Sequence, residues 1–105
     1  MQEIQLEGRA FTVDGEGFLQ QPELWDDEVA RLFAAHEGIA EMTPEHWAVV
    51  RFIREYYLKH GNAPMVRLLC QATNLNLRTI YKLFAAGPAK GACKIAGLPK
   101  PEGCV

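Results

Sequence analysis

The chain has no CxxC pair and only three cysteines, Cys70, Cys93 and Cys104, which removes the usual thiolate spacing of a structural zinc site. Its three histidines, His36, His46 and His60, are dispersed and share no ligand spacing. No apolar run approaches the length of a membrane span, and the opening Met-Gln-Glu-Ile-Gln-Leu has no basic segment followed by an apolar one, so neither membrane insertion nor a signal peptide is expected. A formal net charge of −2 gives no general pull toward nucleic acid or an anionic membrane. There is no internal repeat and no low-complexity stretch. What is present, 105 residues of which 49% are hydrophobic, suffices for one domain on one core without staples. The expected compartment is the cytoplasm, where three cysteines read as reduced or redox-active thiols and not as a disulfide framework.

Ile4 and Leu6, then Ala10, Phe11 and Val13, flank Glu7-Gly8-Arg9, which predicts two short strands joined by a tight turn. A lone hairpin is marginal, so it must lie on the helices that follow. A second turn at Asp14-Gly15-Glu16-Gly17 leads to Phe18 and Leu19 as anchors. Val29, Leu32 and Phe33 recur at helical spacing between about Asp26 and Glu37, with Leu24 and Trp25 leading in and Gly38 as the stop. The clearest start signal is Thr43 as N-cap with Pro44 at the first helical position and Glu45 near the positive end of the dipole. That helix is expected to run to His60 and end at Gly61, with Val49, Val50, Ile53, Tyr56 and Tyr57 on one stripe and Trp47 and Phe52 widening it. Arg51, Arg54, Glu55 and Lys59 read as its solvated flank. Asn62-Ala63-Pro64 opens a third helix carrying Val66, Leu69 and Cys70, closed by Asn74; Leu77, Ile80, Tyr81 and Phe84 mark a fourth, broken at Gly87-Pro88. The segment Ala89 to Ala96 is expected to add a helical turn or two. The predicted fold class is mainly α with a small N-terminal β-hairpin: an orthogonal helical bundle with a helix-turn-helix-like pair and a flexible C-terminal arm. The hairpin and bundle occupy residues 1–86 and the arm 87–105 of a single domain.

The last residues end on a thiol. Gly97, Pro99, Pro101 and Gly103 deny the chain a long helix or a central strand before the penultimate Cys104. Leu98 to Val105 would span roughly 25 Å if extended, enough to enter a cleft on another molecule. Cys93 stands eleven positions upstream, before that stretch begins, and the Gly- and Pro-containing loop between the two can also fold back so that the sulfurs meet. Lys90, Lys94 and Lys100 near Cys93 favour its ionisation, whereas the α-carboxylate of Val105 and Glu102 disfavour a second negative charge at Cys104. Arg67 and Arg78 are further candidate cations around the arm or a persulfide, or else solvated helix faces. Cys70, among Leu68, Leu69 and Ala72 in an apparent helix, reads as a small buried hydrophobe. His46 reads as a surface or capping residue, and Trp25, Trp47, Tyr56 and Tyr57 as core. No metal or cofactor site is expected.

The tail GPAKGACKIAGLPKPEGCV, with Thr43-Pro44-Glu45-His46-Trp47, Phe52-Ile53-Arg54-Glu55-Tyr56-Tyr57, Ala63-Pro64-Met65-Val66-Arg67 and Tyr81-Lys82-Leu83-Phe84, closely resembles the DsrC/TusE family of sulfur carriers. The family includes the so-called gamma subunit of dissimilatory sulfite reductase. The resemblance implies that Cys104 accepts sulfane sulfur as a persulfide, or is joined to a sulfur atom at a reductase active site. Cys93 is then its resolving partner, through a disulfide or a trisulfide. The partners implied are sulfur donor relay proteins of the TusBCD/DsrEFH kind, and dissimilatory sulfite reductase or a membrane-bound disulfide reductase complex. Sulfite-reductase-associated members typically carry an insertion between the helices near Asn74 and Leu77, absent here. That absence resembles the TusE branch, which relays sulfur toward tRNA 2-thiouridine synthesis and usually keeps only the final cysteine; Cys93 points the other way. Leu-Phe-Ala-Ala-Gly-Pro also departs from relatives with Pro or Gly at Ala85 or Ala86. Two other classes of function compete. A helix-turn-helix DNA-binding regulator would use Pro64 to Phe84, with Asn76, Arg78, Thr79 and Lys82 toward the nucleic acid, but the net charge argues against it. A purely structural reductase subunit would keep its function in Cys104→Ser.

Overall fold

The computed structural model describes residues 2–87 and 91–99. Strands β1 (Gln2–Leu6) and β2 (Arg9–Val13) pair antiparallel, with Ile4 opposite Phe11 and Leu6 opposite Arg9. Glu7 and Gly8 between them take φ of 53° and 79°, the pair of left-handed conformations whose twist matches the flanking strands in a two-residue hairpin. Period-two alternation buries Phe11 and Val13 and turns Ala10 outward. At the next turn the Asp14 carboxylate accepts from the backbone N–H groups of Glu16 and Phe18 at 2.9 and 3.0 Å. Leu19 then bridges back to Val13, and both Phe18 and Leu19 are buried as expected.

Helix α1 (Asp27–His36) starts where the Asp26 carboxylate accepts from Val29 N–H at 2.9 Å, and Val29, Ala30, Phe33 and Ala34 form its buried face. Phe33 meets Phe11 of the hairpin edge-on at 5.5 Å between ring centroids, the arrangement that the aromatic quadrupoles favour. Helix α2 (Pro44–His60) has the expected Thr43 cap and closes at Gly61, with Val49, Val50 and Ile53 wholly buried.

His46 differs from a surface residue: it caps, but it is also the one polar side chain buried among the described residues. Thr43 Oγ1 accepts from His46 N–H at 3.3 Å, and Thr43 N–H donates to Nδ1 at 3.1 Å. The other ring nitrogen, Nε2, lies 2.9 Å from the carbonyl of Leu83. A carbonyl only accepts, so Nε2 carries the hydrogen and Nδ1 is left to accept. This one ring ties the start of α2 to the end of the fourth helix.

Helices α3 (Val66–Thr73) and α4 (Leu77–Leu83) form the expected pair. Asn74 ends α3 in the left-handed region and Asn76 caps α4 by accepting from Thr79 N–H at 2.8 Å. The pair is thinly buried: Leu69 and Ile80 are its buried side chains, followed by Phe84 just after α4. Leu77 and Tyr81, expected on the inner face of α4, are 43% and 48% exposed. Cys70, expected to be buried, is half-buried at the edge of the core. A widened turn at Gly91–Ala92 leads into α5 (Cys93–Ile95), which packs on α1 and α2. Among the described residues the molecule is thus mostly helical, five helices with one two-stranded hairpin, and no helix is long and apolar enough to cross a membrane.

Candidate functional site

Cys93 opens α5 and is 3% exposed. It is no part of a loose tail: Ala92, Ile95, Ala96 and Leu98 around it all belong to the same core as the hairpin and α2. Leu98, expected to begin an extended arm, is 1% exposed, and its N–H donates to the Cys93 carbonyl at 3.2 Å. Apolar side chains at Ile95 and Leu98 account for this, because the transfer free energy of burying them opposes letting the segment swing free. Cys104, Lys90 and Lys100 lie outside the described residues.

The expected cations separate into two places. Lys94, next to Cys93, puts Nζ 3.5 Å from the Glu37 carboxylate and 5.3 Å from the centre of the Phe18 ring. Both charged side chains of that pair are largely covered, at 14% and 19% exposure, so the positive charge of Lys94 is balanced at close range by Glu37 and weakened as a field on the neighbouring thiol. Arg67 and Arg78 are exposed on α3 and α4. Arg67 lines a shallow surface groove with Met65, Val66, Leu68 and Gln71.

Two residues at this site escaped the sequence reading of their roles. Arg54, read as solvated flank, lies over the Trp25 ring at 4.3 Å and donates from its two terminal nitrogens to Ala96 O at 2.8 Å and Pro22 O at 3.1 Å. Burial draws its guanidinium below the ordinary arginine value. Trp25, read simply as core, is half-buried and donates from Nε1 to Ile95 O at 2.8 Å. A signal for Arg54 was available: it stands four residues after Val50 and three before Tyr57, on the helix stripe that faces the core. Its neighbour Arg51 does fit the flank, pairing with Asp27 at 3.0 Å with both side chains about half exposed. Among the described residues no cluster of His, Cys, Asp and Glu is placed to hold a metal ion.

The model of the DsrC like protein family matches residues 5–105, taking in α5 and the tail beyond it. The chain belongs to the DsrC family. It is 46% identical, over 105 residues and the whole of both chains, to the gamma subunit of dissimilatory-type sulfite reductase from Nitratidesulfovibrio vulgaris strain Hildenborough. It is 45% identical over 106 positions to the sulfurtransferase TusE of Salmonella typhimurium strain LT2, covering 94% of this chain and 96% of TusE. Among solved structures, the oxidized gamma subunit (DsrC) from Archaeoglobus fulgidus superposes with a TM-score of 0.85 at 46% identity, over 99% of this chain and all of that one. The first of these alignments bears on the short α3–α4 connection. A gamma subunit aligns end to end over 105 residues with no room for a net insertion. The TusE alignment needs 106 positions to use 94% of this DsrC-family chain, so it is TusE that carries residues without a counterpart here.

Proposed function

We propose that this protein is a sulfur carrier of the DsrC type that binds sulfur on Cys104 and uses Cys93 to resolve it, as co-substrate for a partner in dissimilatory sulfur metabolism. The observation that carries the reading is the end-to-end likeness to a sulfite reductase gamma subunit, which runs through α5 with Cys93 and the tail with Cys104. A donor leaves sulfane sulfur on the Cys104 thiolate as a persulfide. The Cys93 thiolate then attacks the inner sulfur, forming the Cys93–Cys104 disulfide, and the outer sulfur leaves as hydrosulfide with the proton that Cys93 lost. Closing a trisulfide instead keeps that sulfur and removes two electrons and two protons, so it needs an electron acceptor on the partner. Dissimilatory sulfite reductase is the partner this reading names; a membrane-bound disulfide reductase would reopen the bridge. A TusE-like relay to tRNA 2-thiouridine synthesis is the second reading, favoured by the 45% identity to TusE.

The test is intact mass after incubation with a persulfide donor, followed by peptide mapping with and without reductant. One added sulfur on Cys104, removed by reductant, is expected in the unsubstituted chain and is lost in Cys104→Ser. Cys93→Ser is expected to load sulfur yet form no internal bridge. Failure of either thiol to take up sulfur or bridge with every donor tried would defeat the carrier reading.

A further inference from the structure

Helix α5 is three residues long, too short to satisfy its own terminal carbonyls, and a helix end that is buried needs outside partners. Here the partners come from far away in the chain. Ile95 O accepts from Trp25 Nε1 at 2.8 Å, and Ala96 O accepts from Arg54 at 2.8 Å. Arg54 is itself fixed by Pro22 O and by the Trp25 ring beneath it, so the two side chains form one unit. Gly97 completes the fit. Its φ is +73°, and a Cβ there would come within 2.4 Å of Trp25 Cδ1, a position that leaves room for no side chain. Lys94 and Glu37 hold the other flank of α5. Every one of these contacts bears on the four residues directly after Cys93, and Cys93 itself is 3% exposed.

We propose that Trp25 and Arg54 are positioning residues for Cys93: they clamp α5 through the carbonyls of its last residue, Ile95, and of its C-cap, Ala96, and the thiol becomes available only when this clamp opens. The consequence for chemistry rests on the carrier reading above, since attack of the Cys93 sulfur on a persulfide, with release of hydrosulfide, requires that sulfur to leave the core. The opening this requires is a local event, distinct from global unfolding: α5 gives up its packing on α1 and α2, while the β1–β2 pairing and the packing of α2 on α3 persist.

The experiment uses the full-length chain carrying Cys70→Ala and Cys104→Ser, in which Cys93 is the one cysteine left to react with iodoacetamide under native conditions, followed by intact mass. Trp25→Phe keeps a ring but removes the Nε1–H donor; Arg54→Gln removes the cationic fork. Each is expected to label about ten-fold faster, the factor that loss of one such hydrogen bond corresponds to, with a urea midpoint lowered too little for global unfolding to account for it. Arg54→Lys, which keeps a cation but only one donor nitrogen in place of the fork, falls between. Leu69→Ala, which weakens the fold from the α3 side, accelerates labelling only by the factor its own loss of global stability predicts. Labelling that is unchanged in the clamp variants, or that follows global stability as Leu69→Ala does, overturns the proposal. Should Trp25→Phe not fold, the two Arg54 variants decide the matter alone. Sulfur loading of Cys104 is scored separately in the three-cysteine chain. Absence of loading defeats the carrier reading and leaves the labelling result standing, whereas labelling that tracks global unfolding defeats the clamp even in a chain that loads sulfur.

Discussion

The three residues of α5 are held more firmly than the fifteen of α3 and α4 together. On α5 and its flanks Ala92, Cys93, Ile95, Ala96 and Leu98 are buried, and two side chains from distant elements close the helix end. The α3–α4 pair buries Leu69 and Ile80 and leaves Met65, Leu68, Leu77 and Tyr81 facing out, Met65 at 73% exposure. Helix length is therefore no guide to anchorage in this molecule. What decides it is apolar area removed from water and whether the orphaned backbone groups find partners.

The largest effect that would test this contrast is expected from Gly97→Ala. The new Cβ meets Trp25 at 2.4 Å with φ held at +73°, and strain plus displacement of the ring should lower stability by about 3 kcal/mol in urea denaturation. A loss below about 1 kcal/mol would mean that the clamp yields cheaply. His46→Ala comes next. It leaves the Leu83 carbonyl and the Thr43 N–H without their ring partner, a cost of about 2 kcal/mol, while the conservative His46→Gln should recover part of it. The smallest effect belongs to the outer face of the helix pair: Leu68→Ser, at a position 38% exposed, should change stability by less than about 0.5 kcal/mol. If Leu68→Ser costs as much as His46→Ala, the pair is bound more tightly than its burial implies and the comparison fails.

Local signals were well recorded in the sequence. Thr43-Pro44, Gly61, Asn74 and the hairpin turn each act within three or four residues of where they stand, through a cap or a backbone conformation that few residue types supply. The helix-end clamp was not legible because its bonds join residues 70 and 42 positions apart, and no local pattern encodes which side chain will reach a given carbonyl. The α4 face misled for a related reason: Leu77 and Tyr81 have the right spacing but no element covers them enough to bury them. Of the candidate site, the placement of Cys93 in the core depends on Ile95 and Leu98, apolar residues visible in the tail but outweighed in the reading by its glycines and prolines.

Charge shows the same loss of information by averaging. The net value of −2 sums twelve acidic and four basic residues up to Glu55 with seven basic and no acidic residues from Tyr56 to Pro101, before Glu102. Arg67, Arg78 and Lys82 place part of that positive segment on the exposed surface of α3 and α4. A total near zero thus conceals a bipolar chain, and fields that steer association depend on the distribution as well as the sum.

The bond from His46 to Leu83 spans 37 positions and so closes the chain into a noncovalent ring that runs out along α2, turns at Gly61, and returns through α3 and α4. A ring tolerates a cut that an open strand does not. One nick in the Asn74–Asn76 link, whose two asparagines are exposed, would leave two fragments still joined by the His46 bond, by Ile80 and Phe84 in the core, and by α5 through its bonds to Trp25 and Arg54. Limited proteolysis should then give pieces that migrate together on size exclusion and part only in denaturant, and their separation without denaturant would show that the closure is too weak to act as a fastening.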